Sequence, residues 1–187
     1  ASLAIMEREL RAGEVAVVAD GRLELVEGDA LKVDAAQAAG GPAHVVSNLP
    51  YNVGTQLLIN WLTGPFRPVS MTLMFQREVA HRIVADVGDE AYGRLAVLAR
   101  ATAEARIVMD LPARAFTPPP KVDSAVVRLE PRADAPAPRV LAALQTVTAA
   151  AFGQRRKMLR SSLKSLGGER LCLQAGLDPA ARAEEID

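Results

Sequence analysis

Between residues 45 and 85 short apolar runs alternate with amphipathic stretches, and this alternation narrows the possible folds more than any other feature of the chain. Val45-Val46 reads as a strand, residues 56–62 as a helix, and residues 70–75 as a buried strand. Residues 77–85 read as a helix with Val79, Ile83 and Val84 facing inward. Strand, loop, helix and strand in repeated order is the pattern of an α/β domain. Upstream, Leu3, Met6 and Leu10 recur at helical spacing, and residues 22–26 alternate like a short strand before Gly28-Asp29 turns the chain. Residues 14–20 fit either a strand ending in an acid or, preferably, the tail of the first helix. Downstream, residues 95–103 are helical in pattern. Residues 106–109 and 124–129 alternate like two strands, expected to pair antiparallel across the turn-rich Phe116-Thr117-Pro118-Pro119-Pro120-Lys121. Residues 131–138, rich in proline and alanine, read as a semi-rigid linker. Everything beyond is helical in pattern, so a smaller domain is expected over residues 139–187, after a first domain over residues 1–131.

Composition excludes several function classes. Twenty-two basic residues balance twenty-two acidic ones, so any contact with nucleic acid must come from local clustering. Cys172 is the only cysteine, which rules out an internal disulfide and a thiolate zinc cluster; it suits a reducing compartment and reads as a small buried hydrophobe. His44 and His81 have no metal-ligand partners nearby in sequence, so no metal site is expected. Trp61 reads as core. No apolar run approaches the ~20 residues of a membrane span and no leader opens the chain, so the expectation is a soluble, cytoplasmic monomer without membrane contact. There is neither a serine-centred nucleophile elbow nor a phosphate-loop motif.

The stretch Ser47-Asn48-Leu49-Pro50-Tyr51-Asn52-Val53 follows the Val45-Val46 strand and collects an amide, a backbone carbonyl, a stiff proline and an aromatic ring where α/β proteins hold their substrates. These groups suit the methylation of an amine. The lone pair of an adenine amine is delocalised into its ring. The Asn48 amide oxygen and the Leu49 carbonyl would accept the amine hydrogens and localise that pair, while Tyr51 stacks on the ring face. The same residues also suit an ordinary strand-end turn. Phe116 precedes three prolines that bar their loop from the sheet and hold it open, so its ring is either a second stacking platform or core. Glu27-Gly28-Asp29-Ala30-Leu31 offers a carboxylate with backbone amides beside it, able to read an exocyclic amine or simply to form a turn. Finally, residues 139–168 hold six Lys or Arg and no acid. Arg156, Arg160 and Lys164 recur every four residues as one face of a helix, with Phe152, Leu159, Leu163 and Leu166 on the other. Such a face is commonly just solvated surface, but the absence of acids favours phosphate binding, in which case Arg155-Arg156-Lys157 would grip a nucleic-acid backbone without reading its bases.

Five segments, in this order, resemble the ribosomal RNA adenine dimethyltransferase family: residues 47–53, Gln76-Arg77-Glu78-Val79-Ala80, Tyr92-Gly93-Arg94-Leu95, residues 116–127 and Phe152-Gly153-Gln154-Arg155-Arg156-Lys157. The resemblance is strongest to its bacterial small-subunit branch. It implies a Rossmann-like methyltransferase domain followed by a small all-helical domain, and transfer of methyl groups from S-adenosylmethionine to two adjacent adenines of small-subunit ribosomal RNA in a pre-subunit. It implies that Asp29, Ala30 and Asn48 contact the cofactor, Asp29 through its adenine. Asn48, Leu49 and Pro50 would surround the target amine, with Tyr51 and Phe116 stacking on the base. Arg155, Arg156, Lys157, Arg160 and Lys164 would meet the RNA. The adenine would be extruded into the pocket for attack on the sulfonium methyl. The family opens with a strand and a Gly-x-Gly-x-Gly turn that this chain lacks. The resemblance therefore implies a fragment shortened at both ends, with a gap in its sheet beside Val45-Val46 and poor cofactor affinity. The competing reading is a non-catalytic RNA-binding or ribosome-assembly module. DNA adenine methylation shares the Asn-x-Pro-Tyr chemistry but leaves the helical part unexplained.

Overall fold

The computed structural model describes residues 29–50 and 52–187. The expected helix near residues 2–12, the strand at 22–26, the ambiguous segment 14–20 and the expected gap beside Val45-Val46 concern residues outside these. Four strands, β1 (His44–Asn48), β2 (Ser70–Gln76), β3 (Ala103–Leu111) and β4 (Ser124–Pro131), form one sheet in the order β1-β2-β4-β3. β1 and β2 run parallel, with Asn48 opposite Met74, while β4 runs antiparallel to both β2 and β3. The antiparallel pairing of residues 106–109 with 124–129 is as expected, with a bulge between Ile107 and Met109. That bulge, and the charges of Glu104 and Arg106, suit an edge strand that must resist pairing with other chains. At the end of the sheet away from Asn48, Arg106 and Arg128 hold the Glu130 carboxyl below the usual carboxylate range.

The helices form where the sequence offers an apolar stripe. α1 (Ala35–Ala39) is capped by the Asp34 carboxylate, which accepts from the Ala36 and Gln37 N–H groups, and it ends at Gly40 with φ 64°. α2 (Gly54–Thr63) buries Leu57, Leu58, Ile59 and Leu62. α3 (Arg77–Val84) buries Ala80 and Ile83 and packs on β2, β3 and β4. α4 (Arg94–Thr102) buries Ala96, Leu98 and Ala99, and its buried Thr102 hydroxyl donates to the Leu98 carbonyl at 2.7 Å. Of these, Leu57, Leu58, Leu62, Ala80, Ile83 and Ala99 join Met71, Leu73, Val127 and Leu129 in the main core, and Trp61 packs against it.

Beyond β4, Arg132 is anchored by its N–H to the Thr102 carbonyl and by a two-point bond to Asp134 at 3.0 Å each. α5 (Pro138–Gly153) then starts with Pro138 in its first turn, where a missing N–H costs nothing. A second core gathers Ala151, Leu159, Leu163, Cys172 and Ala183; Cys172 is 1% exposed, as a buried small hydrophobe should be. The helices after β4 are fastened to α4 and its approach. Tyr92 meets Phe152 edge-on with ring centroids 5.9 Å apart, and its hydroxyl donates to the Ile186 carbonyl at 3.0 Å. Burial pushes the Tyr92 phenol above its ordinary 10.0, so its bond to Ile186 and the stability it confers are lost as pH rises past that value. Removing only this hydroxyl (Tyr92→Phe) should cost about 1 kcal/mol in urea titrations at neutral pH. An unchanged midpoint would mean the bond contributes nothing.

The single basic helical face is corrected by the structure. α5 ends at Gly153, a turn follows, and only short pieces come after: α6 (Leu159–Ser162), a 3-10 turn (Lys164–Leu166), α7 (Gly168–Gln174) and a second 3-10 turn (Ala183–Glu185). A tertiary pairing overrides the helical periodicity. Met158 bridges Arg182, and the N–H groups of Leu159 and Arg160 donate to the carbonyls of Ala181 and Pro179 at 2.8 and 3.0 Å instead of to a preceding helical turn. Gly167, at φ 119°, then closes the stretch.

Candidate active site

The site grows from the end of β1. Asn48 is the last residue of the strand and is exposed, whereas Leu49 turns inward and is 4% exposed. The Pro50 carbonyl accepts from the N–H groups of Val53 at 3.2 Å and Gly54 at 2.9 Å, folding the chain directly into α2. Gly54 is needed for this approach: a Cβ there would lie 3.0 Å from the Leu49 Cβ and 3.4 Å from the Phe75 ring. No described residue hydrogen-bonds to the Asn48 side-chain amide, which leaves its oxygen available to a ligand.

The second wall comes from the loop between β3 and β4. The 3-10 turn Ala113–Ala115 delivers half-buried Phe116, whose N–H donates to the Ala113 carbonyl at 3.2 Å, and the Thr117–Pro118 peptide is cis. Asn48, Leu49, Pro50, Met74, Phe116, Pro118 and Pro120 line one open cavity of about 350 Å³, within the range of small-molecule sites. The structure thus brings together residues that are 68 positions apart in sequence (48 to 116). Tyr51 lies outside the described residues. Sequence reasoning missed Met74; its signal was its place near the end of β2, where the parallel register sets it beside Asn48. A thioether there gives a polarisable, adaptable floor for a flat ring.

Other candidates lie elsewhere. Asp29 accepts from the Leu31 N–H at 3.0 Å and faces Lys32 at 3.8 Å, forming a local turn. Ala30 lines a separate hollow of about 170 Å³ with Leu31, Asp34 and residues of α2, not the Asn48 cavity. Arg155 is used internally: it pairs with Glu184 at 2.6 Å and donates to the Glu90 carbonyl at 2.7 Å. Arg156, Lys157, Arg160 and Lys164 are all exposed, and no carboxylate among the described residues pairs with any of them. The described residues contain no cluster able to hold a metal ion, and no helix among them is long and apolar enough to cross a membrane.

This arrangement can bind a flat aromatic ring on Phe116 and offer its edge an amide oxygen, which suits a purine with an exocyclic amine. The chain is similar to several known proteins. Ribosomal RNA small subunit methyltransferase A of Caulobacter vibrioides is 80% identical over 174 residues, covering 93% of this chain and 67% of that protein. The protein of the same name from Phenylobacterium zucineum is 74% identical over 165 residues, covering 88% of this chain and 58% of its own length. The chain therefore spans roughly six-tenths to two-thirds of these relatives. Among solved structures, a dimethyladenosine transferase from Plasmodium falciparum shares the fold, with a TM-score of 0.69 at 24% identity over 97% of this chain and 72% of that one. The 23S rRNA methyltransferase ErmE aligns with a TM-score of 0.62 at 25% identity over all of this chain and 73% of that one. With a Rossmann-like sheet followed by helices, and with the family model for ribosomal RNA adenine dimethylase matching residues 8–186, the chain belongs to the ribosomal RNA adenine dimethylase family.

Proposed function

We propose that this protein transfers methyl groups from S-adenosylmethionine to the exocyclic amines of two adjacent adenines in small-subunit ribosomal RNA, during ribosome assembly. The observation that carries the reading is the cavity that joins Asn48 and Leu49 to Phe116. In this reading the flipped adenine stacks on Phe116, with Tyr51 as the second ring. The Asn48 oxygen and the Leu49 carbonyl accept the two amine hydrogens and draw the nitrogen lone pair out of conjugation, and Pro50 stiffens the segment that carries them. S-adenosylmethionine supplies an electrophilic methyl group when bound. Asp29, a half-exposed carboxylate able to accept from an exocyclic amine, would hold its adenine end with Ala30 beside it, and Asn48 would contact it as well. Residues 1–131 would carry this chemistry, and residues 139–187 the grip on RNA through Arg156, Lys157, Arg160 and Lys164. Arg155 would act indirectly, by holding the turn that presents them. The protein would work in the cytoplasm, as a monomer on its ribosomal substrate.

The direct test is incorporation of labelled methyl groups from S-adenosylmethionine into small-subunit ribosomal RNA isolated without its dimethyladenines, using the complete gene product. Incorporation supports the reading. RNA binding without incorporation would replace it with a non-catalytic RNA-binding module. The stacking pair makes a finer prediction. Tyr51→Ala and Phe116→Ala should each weaken capture of the flipped base by about 1–3 kcal/mol, seen as reduced single-turnover rates on the adenine substrate. Separate binding titrations should show a smaller fluorescence rise from 2-aminopurine at the target position, which has no 6-amine to methylate and reports extrusion alone. Tyr51→Phe should be tolerated. If it is as damaging as Tyr51→Ala, the hydroxyl has a role beyond stacking.

A further inference from the structure

The loop that carries Phe116 leaves the sheet after Leu111 and returns at Ser124, two residues that sit opposite each other in the β3/β4 register. Prolines stiffen its interior, and a set of contacts at its base joins its two ends. The Asp123 carboxylate is bound through both oxygens. One accepts from the Ala113 N–H at 2.9 Å, at the start of the turn that ends in Phe116. The other pairs with Arg77 at 3.3 Å, the first residue of α3. The Asp123 backbone carbonyl also accepts the Arg77 N–H at 2.9 Å, and Arg77 reaches Asp110 of β3 at 3.4 Å.

We infer that Asp123 is a positioning residue for base capture: it ties the entry and exit of the Phe116 loop to each other and to the start of α3, setting the ring over the cavity. This rests on the reading of that cavity as an adenine site. As a half-exposed ion pair the Arg77–Asp123 contact alone would count for little. The bond to Ala113 is different in kind. It is charge-assisted, and it holds a backbone N–H that the 3-10 turn itself leaves without a partner. α3 begins directly after β2, whose Met74 forms part of the cavity, so the clamp refers the loop to the same rigid strand that carries the floor of the site. Placement of a stacking platform matters because a ring displaced by about 1 Å loses much of its orienting effect.

Two measurements test this. In hydrogen exchange on the protein alone, Asp123→Ala should speed exchange at the Ala113 and Phe116 amides by about tenfold or more. Asp123→Asn, which retains an oxygen for the Ala113 N–H, should keep most of the protection. Unchanged exchange in Asp123→Ala overturns the clamp. In single-turnover methyl transfer at saturating RNA, Asp123→Ala should lower the rate about tenfold, with RNA affinity within about twofold of the parent and with partial recovery in Asp123→Asn. Added to Phe116→Ala it should cost no more than about a further twofold, because both changes act on the same stacking platform. Multiplicative effects would show Asp123 acting apart from Phe116 and would overturn the positioning role. Absence of methyl transfer by the parent protein would overturn the functional reading, and the Ala113 exchange then decides the clamp by itself.

Discussion

Asn48→Ala should lower single-turnover methyl transfer by the complete gene product on the order of hundredfold or more, while leaving RNA affinity nearly unchanged. The amide sits at the exposed end of β1, and no described residue hydrogen-bonds to it. In the proposed function its oxygen accepts from the amine whose lone pair must be exposed. A polar group aimed at the reacting atoms typically contributes several kcal/mol to the barrier. In the same reading, ground-state binding of the RNA comes mainly from phosphate contacts of Arg156, Lys157, Arg160 and Lys164, none of which lines the cavity. A near-normal rate at saturating RNA would remove Asn48 from the chemistry and return the Asn-x-Pro-Tyr segment to an ordinary turn.

Much of this site could be read from the sequence because its determinants are local. A short apolar run ending in Asn48-Leu49-Pro50 places an amide at a strand end in almost any α/β arrangement, and the prolines after Phe116 force an open loop whatever surrounds them. What escaped was decided by tertiary contacts. Met74 is indistinguishable from its buried neighbours in β2 until the parallel register sets it beside Asn48. Asp123 reads as a polar residue before a strand until Ala113 and Arg77 close on it. Arg155, grouped with Arg156 and Lys157 by sequence, is withdrawn by Glu184, a partner 29 residues away. The four-residue spacing of Arg156, Arg160 and Lys164 promised a helix, but pairing of Leu159 and Arg160 with residues 179–181 won over local propensity.

The absence of that helix changes the geometry of the basic surface but not its charge, and the second large prediction concerns that charge. Replacing Arg156, Arg160 and Lys164 together with Glu should weaken RNA binding across sequences and flatten its salt dependence. Each phosphate that the protein no longer neutralises lowers the slope of log affinity against log salt by about 0.7–0.9, so the triple change should remove about two units. All three side chains are exposed and unpaired among the described residues, so the change should spare the fold. Arg155→Glu is expected to differ: it would set a like charge beside Glu184 and should destabilise the protein itself. Filter-binding titrations at several salt concentrations read the slopes. An unaltered slope in the triple variant would make the acid-free stretch an ordinary solvated surface.

The central claim, that the Asn48 cavity prepares an adenine amine for methylation, is tested most directly by the identity of the product. Unmethylated small-subunit ribosomal RNA is incubated with S-adenosylmethionine and the complete gene product, then digested to nucleosides and analysed by mass spectrometry alongside the Asn48→Ala variant. The expected result is N6,N6-dimethyladenosine at two adjacent positions with the parent protein and essentially none with the variant. Dimethyladenosine formed equally by both proteins, or methyl groups on a different base or atom, would contradict it.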